Sequence, residues 1–121
     1  MTAPKPRPFS PTHNLRHKYG VGPKERRTRD TPYGTYVLGS VKEARYYDML
    51  VLERKSGHVV TFLMQVPFRL PGGVRYIVDF VVFRDGGSIE FIDVKGLKTE
   101  SYKAKKRMVE DLYAPIKITE V

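Results

Sequence analysis

The sequence predicts an α/β (α+β) domain whose elements run helix, three antiparallel strands, helix, strand. Three observations carry this. RYIVDFVVFR (75–84) is dense in β-branched and aromatic residues, the composition of a well-buried strand. It lies between Pro71-Gly72-Gly73 and Asp85-Gly86-Gly87, clusters that turn a chain back on itself. On either side of the three-strand run, a stretch opens with a helix-capping residue.

Ser40 and Glu43 stand three residues apart ahead of an apolar-periodic stretch, the spacing of a capping box. A helix over about 40–55 follows, with Val41, Ala44, Tyr47 and Val51 on one face, and Ser56-Gly57 ends it. HVVTFLMQVPFRL (58–70) reads as a strand whose Pro67 marks an edge or a bulge. After 75–84, SIEFIDVK (88–95) returns the chain and Gly96 breaks the strand. Thr99 caps a second helix, about 99–113, which ends before Pro115. IKITEV (116–121) forms a short last strand. Residues 1–34 differ. They are rich in Pro and Gly, carry the basic run KERRTR from Lys24 to Arg29, and have neither period. They read as an N-terminal arm before a domain spanning 35–121. The arm either solubilises the chain, lies along a phosphate backbone, or embraces a second subunit.

The net charge of +9 on 121 residues attracts polyanions, nucleic acid before an anionic membrane surface. No apolar run approaches the ~18–20 residues that span a bilayer, and the N-terminus lacks a signal peptide's apolar stretch. A soluble, cytoplasmic protein with no membrane partner is expected. With no cysteine, thiolate catalysis and thiolate metal sites are excluded. A metal then has carboxylate oxygens or the three histidines, and His13, His17 and His58 have no ligand spacing.

FIDVKG (91–96) sets an acid, Asp93, and a base, Lys95, in an apolar strand. Burying a charge costs several kcal/mol unless it is paired or has a task. Residues two apart share a strand face, so Asp93 and Lys95 project together while Glu90 faces the other way. The turn decides whether Asp79 joins them. A two-residue loop at Gly86-Gly87 places Asp79 and Asp93 on opposite faces. A three-residue loop, Asp85-Gly86-Gly87, pairs Arg84 with Ser88 and Asp79 with Asp93. The second is expected, because it collects the charges in one place. Facing acids repel unless a cation lies between them. A hard ion such as Mg²⁺ takes two carboxylates, a backbone carbonyl (Val94 is the candidate) and waters. Such a site polarises a phosphate and activates water. Lys95 orients or deprotonates that water, or stabilises the developing charge. The alternative is a plain Asp93–Lys95 salt bridge.

Asp79 followed by Asp93-Val94-Lys95 on the next strand resembles the PD-(D/E)XK nuclease signature. The element order resembles that fold's core. SVKEARYYDMLVLE, YIVDFVVF and IDVKGLKTESY resemble small phage-encoded PD-(D/E)XK endonucleases related to Holliday junction resolvases. The resemblance covers about 36–121. Val78 stands where the signature has proline. It implies a metal-dependent DNA endonuclease acting on four-way or branched junctions, with Mg²⁺ (Mn²⁺ as substitute) and no nucleotide cofactor. Asp79, Asp93 and Lys95 would be catalytic. Glu43 matches a further acid of the family's first helix, a metal ligand or its neighbour, although it also closes the capping box. Gln65 matches a polar first-strand position and would face nucleic acid.

Lys98, Lys105 and Tyr102 fall together in helical projection beside the exit of the acid-bearing strand, with Lys103, Lys106 and Arg107 nearby. With Lys24, Arg26, Arg27 and Arg29 they are expected to contact phosphates rather than read bases. Paired cuts in a junction call for a twofold homodimer. Tyr46, Leu50, Phe62 and Met64 are the candidate interface residues. Two rivals share the composition: the same nuclease acting on duplex or single-stranded DNA, and a basic DNA-binding protein without chemistry.

Overall fold

The computed structural model describes residues 21–94 and 98–121. The fold is mixed α/β, with two helices and two sheets among these residues. The chain divides into two compact units, Met1–Arg45 and Tyr46–Val121.

The first unit holds a hairpin that the sequence analysis passed over. Strand β1 (Thr28–Thr31) pairs antiparallel with β2 (Gly34–Val37), in the register Thr31 to Gly34 and Thr28 to Val37. Regular structure thus begins ahead of Tyr36. Thr31 Oγ1 donates to the Gly34 carbonyl at 2.8 Å and accepts from the Tyr33 N–H at 3.1 Å, closing the turn. These bonds are polar and local, and the stretch TRDTPYGTYV has no apolar alternation, so no strand period is visible. The Arg27 guanidinium donates to the carbonyls of Gly22 (3.1 Å) and Leu38 (2.8 Å), tying the ends of the hairpin together.

Helix α1 (Val41–Ser56) starts where the capping pair predicts. Ser40 Oγ accepts from the Glu43 N–H at 3.0 Å. In the second unit β3 (Val59–Arg69), β4 (Arg75–Arg84), β5 (Ile89–Asp93) and β6 (Ile118–Glu120) form one sheet in that order. The first three are antiparallel, and β6 runs parallel to β5. β3 is therefore an edge strand, where Pro67, which has no N–H to donate, is tolerated. β5 and β6 are shorter than predicted. Helix α2 (Glu100–Leu112) links them, capped by Thr99 Oγ1 accepting the Tyr102 N–H at 3.1 Å.

The helices of this unit pack on opposite sheet faces. Phe80 packs at a tilt against Tyr46 of α1, with 5.4 Å between ring centroids, and Phe62 lies edge-on to both Tyr47 and Phe80. Its neighbour Val81 points the other way, into a core with Val109 of α2 and Ile118 of β6. Leu50 is fully buried, so it belongs to the core rather than to an exposed interface. Tyr46, Phe62 and Met64 are half-buried. Arg84 joins α1 to the sheet, donating to Glu53 at 2.8 Å and to Glu90 at 3.0 Å. Glu90 is thus ion-paired, not simply solvated. Among the described residues, no helix is long and apolar enough to cross a membrane.

Candidate functional site

The turn between β4 and β5 sets the site. Arg84 N–H donates to the Ser88 carbonyl at 2.9 Å, and Gly87 N–H returns to the Arg84 carbonyl at 3.0 Å. Gly87 has φ of 94°, the left-handed position that closes a three-residue loop and that glycine enters without a Cβ clash. The pairing then steps evenly from Phe83–Ile89 to Phe80–Ile92, and the next positions bring Asp79 opposite Asp93. The register expected because it gathers the charges is the one observed.

The two acids do not simply face one another. β5 ends at Asp93, and side chains take over the ladder there. Asp93 Oδ1 accepts the Asp79 backbone N–H at 3.3 Å, and Asp79 Oδ2 accepts the Val94 N–H at 2.8 Å. Each carboxylate therefore takes a backbone N–H from the neighbouring strand's path, Asp93 in the middle of β4 and Asp79 just past the end of β5. Charge-assisted bonds of this kind are stronger than neutral ones and help pin a buried carboxylate. Asp93 is 0% exposed and Asp79 7%, depths at which a charge needs compensation. The Asp93 carbonyl is taken by the Val121 N–H at 2.9 Å, which fixes β5 against β6.

Gln65 lies on β3 opposite Asp79, between the pairs Met64–Phe80 and Val66–Val78. Its Nε2 donates to Asp79 Oδ1 at 3.4 Å. Its φ is 53°, the left-handed region that a side chain such as glutamine seldom enters. Here the structure places the residue against an acid rather than simply along a DNA-facing strand.

Glu120, which the sequence analysis did not single out, is the parallel partner of Asp93 across β5 and β6. Asp79, Asp93 and Glu120 thus follow one another across three strands. Tyr102 Oη donates to Glu120 Oε2 at 2.7 Å, and Lys98 Nζ lies 3.0 Å from Glu120 Oε1. The Tyr102 ring stacks on Tyr76 at 6.1 Å. Burial first, then the Glu120 and Asp93 carboxylates, push the Tyr102 hydroxyl well above the ordinary tyrosine range, so it remains a donor. The Tyr102 hydroxyl and Lys98 together hold Glu120 below the usual glutamate range. A parallel register set across a helix leaves no local sequence signal, which is why Glu120 was missed.

Beyond Glu120 opens a groove of about 520 Å³ lined by Lys98, Lys103, Lys106, Arg107, Glu110 and Glu120. Lys103 pairs with Glu100 at 3.4 Å and Lys106 with Glu110 at 3.8 Å. Lys105 is half-buried on the same helix. Lys95 lies outside the described residues, as do His13 and His17. Glu43 belongs to the first unit. It is 5% exposed, and its Oε1 lies 2.9 Å from where a Cβ on residue 39 would sit, so the carboxylate occupies space that only Gly39 leaves. In the same unit Lys24 and Arg26 are exposed. Arg27 is engaged by the hairpin backbone, and Arg29 donates to the carbonyls of Arg26 and Thr28.

The donor set suits a hard cation. The two buried carboxylates and the Val94 carbonyl are all oxygen ligands, and Mg²⁺ uses one or two carboxylates with waters completing its shell. A carboxylate has about four acceptor sites, so a backbone N–H on one oxygen does not exhaust its capacity to ligate. Among the described residues, no three acidic or histidine side chains converge as a metal cage.

These features define a mixed α/β protein with a buried acid pair where the ladder between two central strands ends. The chain belongs to the DUF1064 family, described as a protein of unknown function, whose pattern matches residues 16–121.

Proposed function

We propose that the protein is a metal-dependent DNA endonuclease of the PD-(D/E)XK kind that resolves Holliday junctions or other branched DNA. One observation carries the reading: Asp79 and Asp93, both buried, stand on neighbouring strands, and each carboxylate accepts a backbone N–H from across the pair. An acid pair held at such a cost in desolvation is expected where it has work to do.

In this reading Asp79, Asp93 and the Val94 carbonyl hold Mg²⁺, with Glu43 as a further acid and Mn²⁺ as a substitute. When bound, the ion would polarise a phosphate and make a coordinated water more acidic than bulk water. The chain's own residues do the rest. Backbone N–H groups on Asp79 Oδ2 and Asp93 Oδ1 keep the carboxylates oriented. Gln65 holds the remaining oxygen of Asp79. Lys95 serves as the base beside the attacking water or as a cation beside the developing phosphate charge. Lys98 just ahead of α2, with Tyr102, Lys105 and Lys106 on it, lie where phosphates would pass, and the net charge of +9 draws the polyanion in. Lys24, Arg26 and Arg29 extend that field. Two copies related by a twofold axis would place two sites on symmetric strands.

The test is a cleavage assay on a labelled four-way junction and on a linear duplex of the same sequence, in Mg²⁺ and in EDTA. Paired symmetric nicks in the junction alone, abolished by EDTA, are expected. Equal cutting of both substrates would keep the nuclease and remove the junction preference. No cutting in Mg²⁺ or Mn²⁺ would contradict the reading.

A further inference from the structure

Glu120 sits where the acid pair and the basic groove meet. It is the strand partner of Asp93, it accepts the Tyr102 hydroxyl, and it holds the Lys98 ammonium at 3.0 Å. The Lys98 side chain is 49% exposed, at the mouth of a groove whose other cations are Lys103, Lys106 and Arg107. A carboxylate that engages a cation of such a groove withholds it from a phosphodiester, unless the cation changes partners when the phosphodiester arrives.

We propose that the groove along α2 takes the phosphate backbone of one nucleic-acid strand and that Glu120 holds Lys98 in the free protein and releases it to a phosphate on binding. Exposed ion pairs are weak, so exchanging one anionic partner for another costs little. Glu120 need not move. The Tyr102 hydroxyl keeps it in place, and with it the edge of β6 beside Asp93. The lysine is long enough to swing between the two anions while its stem stays packed. Lys106 and Glu110, at 3.8 Å, form a second such pair one turn further along the groove. At Lys98 and Lys106 the groove therefore binds a strand by an exchange of partners.

The inference rests on the reading of nucleic acid as substrate, but its test does not need cleavage. Binding of a labelled duplex and of a four-way junction is measured in EDTA over a salt series. Four proteins are compared: wild type, Lys98→Ala, Glu120→Gln and the double variant. Lys98→Ala should weaken binding and reduce the slope of log K against log salt by about one. Glu120→Gln keeps an oxygen for Tyr102 but loses the charge. It should tighten binding, and should do so far less in the Lys98→Ala background. Equal tightening in both backgrounds would overturn the exchange, leaving Glu120 as a repulsive charge acting through space. An unchanged slope in Lys98→Ala would overturn the contact itself, provided that thermal unfolding shows all four proteins folded. Wild type that binds but never cuts would end the endonuclease reading and leave this one standing. Wild type that binds neither DNA would end both.

Discussion

Gln65 takes φ of 53° within β3, a strand that is otherwise extended. A non-glycine residue in that region costs on the order of 1–2 kcal/mol, and such strain gathers at functional sites. The side chain it aims donates to Asp79, the acid that in turn holds the Val94 N–H. Gln65→Gly removes the strain and the donor together. Chemical denaturation should show stability unchanged or raised by up to about 1 kcal/mol. Mg²⁺-dependent cleavage should fall ~10- to 100-fold, the usual effect of losing a residue that orients a metal ligand. Lost stability with wild-type cleavage would make Gln65 a structural residue. The sequence showed a lone polar residue on a strand and nothing of its backbone, because a left-handed glutamine has no compositional mark.

At the scale of elements, legibility followed the range of the interactions. Helix α1, the turn at 85–87 and the Thr99 cap are set by neighbours within a few residues. The three-residue loop, expected because it gathers the charges, sets Asp79 against Asp93. The β1–β2 hairpin rests on threonine hydroxyls and an arginine bound to backbone, without apolar alternation, and it was not visible. Nor was the β5–β6 register, which is set across the whole of α2. Leu50 shows how an amphipathic pattern misleads when a helix is covered more widely than one face: it reads as an interface residue and lies in the core at 0% exposure. Leu50→Ala should cost about 2–5 kcal/mol of unfolding free energy. If Leu50 instead served a dimer contact, the loss would change with protein concentration; a loss independent of concentration is expected.

For the whole molecule, the proposed function asks charge and site to serve the same partner by separate routes. The excess of 22 lysines and arginines over 13 acids attracts a polyanion from a distance. The acid pair sits where the β4–β5 ladder ends, and the groove of α2 opens beyond Glu120, the strand partner of Asp93. The catalytic lysine expected at Lys95 follows Val94 directly and lies outside the described residues. The central claim therefore rests on Asp79 and Asp93, and the most direct measurement compares wild type with Asp93→Asn for binding and cutting of the same four-way junction. Asparagine keeps an Oδ1 that can accept the Asp79 N–H, so the fold and the affinity for DNA should survive. Its lost charge should abolish Mg²⁺-dependent cleavage. A variant that folds, binds and cuts at the wild-type rate would contradict the account.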